Sequence, residues 1–196
     1  MAYHKYQTEA FILGSREYGE ASRVFFLFTD AFGVVSATAS GVRKQTSKLK
    51  ASLQTFEKSR IELVRGKEMW RIVGAAQGER YERVMKDAGK RALYVRIISL
   101  IHRFVLGEGM HTKIFYEMQN ILPFLAHTEM EAKDILYAEE LWNLRFFKEL
   151  GYVSDKRTFA ELVSSSTWDI ETVRAVRNIE KEVIAEINIA LRAAQV

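Results

Sequence analysis

The sequence predicts an α+β protein, with a five-stranded β-barrel over residues 1–80 followed by an all-α domain over residues 81–196. Two observations carry this. Before Tyr81, five short segments rich in β-branched and aromatic residues follow one another, and no amphipathic helix separates any two of them. After Tyr81 the apolar residues recur at the three- and four-residue spacing of a helix. A third observation is electrostatic. Residues 1–80 hold 13 Lys and Arg against 8 Asp and Glu, whereas residues 81–196 hold 16 against 17. The formal charge of +4 is therefore a basic barrel joined to a nearly neutral helical part.

The predicted strands are Thr8 to Gly14, Arg23 to Thr29, Val34 to Ser40, Thr55 to Val64 and Met69 to Ala75. Gly14, Gly19, Gly33, Gly41, Gly66 and Gly78 lie between or just beyond them, as turns require. The widest gap, Val42 to Leu53, falls between the third and fourth strands. An oligonucleotide-binding (OB) fold is a five-stranded barrel with room for a connector there, so the strand count fits it.

Beyond Tyr81, Leu93, Ile97, Leu100, Ile101 and Phe104 define a first helix, closed by Gly107 and Gly109. Ile98 and Val105 widen its apolar stripe, which predicts burial on most of its surface and makes His102 a core residue. Ile114, Phe115, Met118, Ile121 and Leu122 define a second, ended or kinked by Pro123. Thr128 and Glu131 have capping-box spacing and open a third helix, running through Trp142 and Phe146 to a glycine cap at Gly151. Residues 153–167 are polar, with three consecutive serines, and read as a linker. A last helix carries Ile170, Val173, Val176, Ile179, Val183, Ile187 and Leu191 on one stripe.

Composition excludes several chemistries. The chain of 196 residues has no Cys, so disulfides, thiolate metal sites and thiol catalysis are absent. Its apolar runs fall far short of the ~18 residues that span a bilayer, and Glu9 precedes any of them. A soluble, cytoplasmic protein without a membrane partner is expected. The four histidines are scattered without an HExxH pair, and Gly66-Lys67 lacks a phosphate-loop glycine because Ile61 stands there. No GxSxG elbow occurs, and Glu139-Glu140 reads as a solvated helix face. No catalytic residue, metal or cofactor is expected, and the protein reads as a non-enzyme.

The basic excess has a pattern. Arg43, Lys44, Lys48 and Lys50 fall in one acid-free stretch, and Arg65, Lys67 and Arg71 follow around a second turn, with Arg16 and Arg23 behind them. These are the candidate phosphate contacts of a polyanion-binding surface. Trp70 and Tyr18 are the candidates for base stacking, which is worth ~1–3 kcal/mol per base. No residue reads as a base-edge reader, so sequence-independent binding is expected.

The motifs Thr8-Glu9-Ala10, Tyr18-Gly19-Glu20, Gly33-Val34-Val35 and Gly41-Val42-Arg43 follow in order. Leu63-Val64-Arg65-Gly66 and, farther on, Leu150-Gly151-Tyr152 continue the series. Together they resemble RecO, the bacterial recombination mediator family, well over residues 6–80 and less closely over residues 81–153. The resemblance implies an OB-fold N-terminal domain and a helical C-terminal domain. It further implies binding to single- and double-stranded DNA, annealing of complementary strands and work with RecR. It also implies assistance to RecA in replacing the single-strand binding protein SSB. Arg145 and Lys148 are candidate contacts for an acidic SSB tail. Many family members carry four cysteines for zinc after the Leu-Gly-Tyr helix and run longer. Here residues 153–167 offer no thiolate, so a trimmed C-terminal domain is expected. Two other readings stay open: a helical adaptor whose residues 168–196 pair with a partner, and an RNA-directed OB protein.

Overall fold

The computed structural model describes residues 4–154 and 156–194. Its contacts divide the chain into two compact units. One comprises the chain up to Tyr81 with Leu100–Phe115, and the other Glu82–Ser99 with Tyr116 onward. The sequence expectation draws a single cut at residues 80 and 81 instead.

The first unit contains five strands: β1 (Lys5–Tyr18), β2 (Ser22–Thr29), β3 (Gly33–Ala39), β4 (Lys58–Arg65) and β5 (Trp70–Gln77). They close into a barrel in the order β1-β2-β3-β5-β4. All neighbours are antiparallel except β3 and β5, which meet in parallel at Ala37–Trp70 and Thr38–Arg71. The N-terminal fold is thus an OB barrel, followed by helices. β1 is twice the length that its apolar pattern predicts, because one strand serves two neighbours. Lys5–Phe11 pairs with β4 and Ala10–Tyr18 with β2, with a register shift between Ile12 and Gly14 where the strand bends.

Strand alternation explains the two faces of the barrel wall. Ala10, Ile12, Phe25, Leu27, Val35, Ala37, Ile61, Leu63, Trp70 and Ile72 form the interior. On the other face, Phe11 and Phe28 are also sealed, because Phe115 packs on both with ring centroids 5.1 and 5.5 Å away. Gly33 marks how close that covering comes. It has φ +66°, and a Cβ there would lie 2.1 Å from the Gly109 carbonyl oxygen. His102 is exposed rather than in a core, with its ring edge against Phe26 at 5.1 Å. The reason is that the buried stripe here runs through Ile101 and Val105, and His102 lies off it.

The helices are α1 (Glu82–Lys86), α2 (Ala88–Phe104), α3 (Thr112–His127), α4 (Ala132–Glu149), α5 (Arg157–Ser164), α6 (Ile170–Ala175) and α7 (Glu180–Ala193). The second unit is built around α4, which buries Ala138, Leu141, Trp142, Leu144, Phe146 and Phe147 and packs against α5, α6 and α7. Asp134 at its start holds Arg174 of α6 through two bonds of 2.9 Å. α3 continues through Pro123 to His127 rather than ending there. The capping box of α4 lies three residues after the predicted one: the Glu131 amide donates to Asp134 Oδ2 at 3.0 Å.

Two expectations fail here. The polar stretch 153–167 is not a linker throughout but contains α5, anchored by buried Phe159 and Leu162. The last helix is not continuous. A 3-10 turn at Val176–Ile179 separates α6 from α7, and Ile179 leaves the helical region at φ −135° and ψ 26°. Among the described residues no helix is long and apolar enough to cross a membrane.

Candidate nucleic-acid interface

The connector between β3 and β4 carries the strongest charge concentration. It is neither helix nor strand but a run of turns, in which the amides of Lys44, Ser47, Lys50 and Ser52 each donate to the carbonyl three residues back. Two apolar residues pin it. Val42 and Leu53 are 4 and 5 % exposed and belong to the barrel interior, and the Ser59 hydroxyl donates to the Ser52 carbonyl at 2.7 Å. With Val42, Ser52 and Leu53 turned inward, Arg43, Lys44, Lys48 and Lys50 are left on the exposed side.

Arg43 ties the connector to the β1–β2 turn. Its amide donates to the Ala21 carbonyl at 3.0 Å, and its Nη1 reaches the Gly19 carbonyl at 3.4 Å and Glu17 at 3.3 Å. This brings exposed Tyr18 and Arg16, at the end of β1, into the neighbourhood of the connector. Arg23 opens β2 and faces the same side as Phe25 and Leu27, that is, the end of the barrel interior. Arg23, Arg43 and Lys50 line one cavity of about 280 Å³ whose floor is Phe25, Val42 and Leu53. Ser15, Gln54 and Thr55 add polar groups to its wall. The Arg23 Nε is buried there without a hydrogen-bond acceptor.

Arg65, Lys67 and Arg71 lie on the β4–β5 hairpin, all exposed. Its turn is tight, since a Cβ on Gly66 would lie 2.3 Å from the Met69 carbonyl oxygen. Arg65 is committed within the protein. It bonds Glu108, whose carboxyl is held below the usual range chiefly by that guanidinium, and it lies 4.7 Å over the Trp70 ring. Trp70 corrects the stacking expectation. It is 4 % exposed, with Tyr6 and Phe32 against its ring at 5.4 and 5.0 Å and its Nε1 donating to Glu108 at 3.0 Å. A ring this buried, packed by Tyr6 and Phe32 and covered by the Arg65 guanidinium, has no face for a base. Tyr18, half exposed, remains as the aromatic candidate. Glu108 was invisible to sequence reasoning, because it meets Arg65 and Trp70 from 43 and 38 residues away and no local pattern announces the pairing.

In the helical unit the expectation for Arg145 is also corrected. This residue is 4 % exposed, donates to the Leu162 and Thr167 carbonyls and pairs with Glu117 at 2.8 Å. Burial holds the Glu117 carboxyl above the usual range, while Arg145 pulls it down. Arg145 binds the helical segments to one another and cannot present itself to an acidic tail. Lys148, in the last turn of α4, is half-buried. Glu139 and Glu140 are not a solvated face either. Glu139 pairs with Arg96, and Glu140 is buried, which together with the nearby Glu180 and Glu139 charges pushes its carboxyl up to about 7.

Residues 1–77 match the family model described as "Recombination protein O N terminal". Among curated proteins, the DNA repair protein RecO of Alkaliphilus metalliredigens is 29% identical over 136 residues, covering 69% of this chain and 55% of the relative. The protein of the same name from Desulfitobacterium hafniense is 26% identical over 147 residues, covering 75% and 52%. That of Heliobacterium modesticaldum is 39% identical over 82 residues, covering 42% and 30%. The chain spans about half the length of the first two relatives. An OB barrel with this strand order, the motifs that run through it and the run of RecO relatives agree: residues 1–77 are similar to the N-terminal domain of RecO, and the likeness to RecO proteins extends over 69% of the chain.

Proposed function

We propose that this chain is a DNA-binding protein of recombinational DNA repair that holds strands on the cationic connector and anneals complementary ones. The observation that carries the reading is the connector itself. Arg43, Lys44, Lys48 and Lys50 stand exposed on a segment pinned from below by Val42 and Leu53, on a barrel that matches a family model named for recombination. The relatives' name, DNA repair protein, supports the polymer and the process. Arg16, Arg23, Lys67 and Arg71 extend the phosphate-binding surface, whereas Arg65 is spent on Glu108. Tyr18 supplies a stacking face at the rim. Annealing follows from charge: a surface that neutralises the phosphates of two strands lowers their repulsion and leaves base pairing to supply specificity. RecR, SSB and RecA are the partners through which such an activity would load a recombinase, and Lys148 remains a candidate contact for an SSB tail.

The test reverses Arg43, Lys44, Lys48 and Lys50 to Glu together. Annealing of complementary oligodeoxynucleotides is expected to disappear while the circular-dichroism spectrum and melting temperature stay near those of the parent. Unchanged annealing and unchanged single-strand affinity in the folded variant would overturn the assignment of the connector.

A further inference from the structure

The cavity at the end of the barrel has a chemistry of its own. Of its three cations, only Arg43 has a carboxylate, at 3.3 Å from Glu17. Glu17 is the cross-strand neighbour of Arg23 in the β1–β2 register, yet its carboxylate goes to Arg43 and leaves Arg23 without an ion-pair partner among the described residues. Among the described residues Lys50 likewise has no acid within ion-pair distance. Two uncompensated positive charges therefore border one small space. Taking a guanidinium partly out of water without an anion is unfavourable, and a bound anion removes that penalty.

Two further features select the anion. A strand's internal phosphodiester carries one negative charge and is substituted on two oxygens, so it offers two unpaired cations only half the charge they can take. A phosphomonoester carries about −1.5 to −2 charges near neutral pH and three free oxygens. It matches the two unpaired cations in charge and enters end-on. The volume of about 280 Å³ is several times the ~30 Å³ that a water molecule occupies, which leaves space for a phosphoryl group and part of its sugar. Phe25, Val42 and Leu53 offer that sugar an apolar floor, and Ser15 and Thr55 offer hydroxyls to the phosphate oxygens.

We propose that the cavity bordered by Arg23, Arg43 and Lys50 is a seat for a phosphomonoester dianion, the terminal phosphate of a nucleic-acid strand. The strand as source rests on the DNA-binding reading above; the anion chemistry does not. The experiment uses fluorescence anisotropy with the full chain and one oligodeoxynucleotide prepared with a hydroxyl at both ends, a 5′-phosphate or a 3′-phosphate. Charge-assisted hydrogen bonds are the stronger kind, so a seated phosphate is expected to tighten binding about tenfold for one of the two ends. In Arg23→Gln and Lys50→Gln the preference disappears, whereas Lys44→Gln weakens all three oligonucleotides alike and keeps it. Lys50 is exposed, so its variant decides the matter if Arg23→Gln does not fold. A deoxynucleoside monophosphate should displace the phosphorylated oligonucleotide where the nucleoside does not. Equal affinity for all three ends with DNA binding intact overturns the seat and leaves the DNA reading standing. Competition by the monophosphate for a labelled mononucleotide, without binding of the long strand, keeps the seat, overturns the DNA reading and makes the free nucleotide the source.

Discussion

Tyr18 and Trp70 are both aromatic residues set among cations, and the fold assigns them opposite parts. Tyr18 ends β1 half-exposed, whereas Trp70 begins β5 with its ring inside the barrel and its indole N–H on Glu108. Truncation should separate the two. Trp70→Ala is expected to lower unfolding free energy by about 3–5 kcal/mol, as removal of a packed core aromatic does, measured by denaturant titration. Tyr18→Ala should leave that midpoint near the parent and weaken single-strand binding by about 1–3 kcal/mol. Unchanged affinity in Tyr18→Ala would remove it as a platform. A sequence cannot tell these residues apart, since Lys67-Glu68-Met69-Trp70-Arg71 reads equally as an exposed rim or as a strand entering the core. What decides Trp70 is the parallel pairing of Ala37 with it, a contact between residues distant in the chain. Arg145 is the same lesson in a helix. The residue looks like a surface cation in Leu144-Arg145-Phe146, and only the arrival of Glu117 and the carbonyls of residues 162 and 167 makes a buried site for it.

At the scale of elements, the informative failures lie where apolar patterns are short. α5 has only Phe159 and Leu162 as buried anchors in eight residues, too few for periodicity to stand out from its polar surroundings. Its neighbour segment is held by charge. Glu186 of α7 accepts from the Ser154 amide at 3.1 Å and the Ser154 hydroxyl at 2.7 Å, and it pairs with Lys156. The Lys156 ammonium and the Ser154 donors hold its carboxyl down at about 2, against an ordinary value of 4.5. A carboxyl whose folded value is depressed contributes stability that is present above its unfolded value and lost as pH falls through the folded one. The contribution should therefore be complete above about 4.5 and vanish towards about 2. Because Lys156 is half-exposed, solvent screening reduces its share, and Glu186→Gln is expected to cost about 1–3 kcal/mol at neutral pH. Unfolding measured across that range should show the parent and the variant converging as the medium is acidified. A constant gap would mean that packing rather than charge holds the segment to α7.

For the molecule as a whole, the division of charge between the basic barrel and the nearly neutral remainder sets how binding should respond to salt. Logarithmic affinity for single strands falls with logarithmic salt by about 0.7 per phosphate neutralised. Engagement of the four connector cations thus predicts a slope of roughly −3. Titration with single-stranded DNA and with RNA of the same sequence across ionic strengths checks this, and a slope near zero would leave the helical-adaptor reading in its place. The sequence by itself determined the five strands, the change of period after Tyr81 and the place of the basic excess. These depend on local alternation, on glycine at turns and on counting charges, all of which neighbouring residues carry. The tertiary structure alone decided which cations are free. It paired Arg65 with Glu108, buried Arg145 with Glu117, sent the carboxylate of Glu17 to Arg43 and left Arg23, beside Lys50 at the end of the barrel, without an ion-pair partner among the described residues. The physical reason is that a charge is neutralised by whatever lies within a few ångströms of it, and folding brings those partners from tens of residues away.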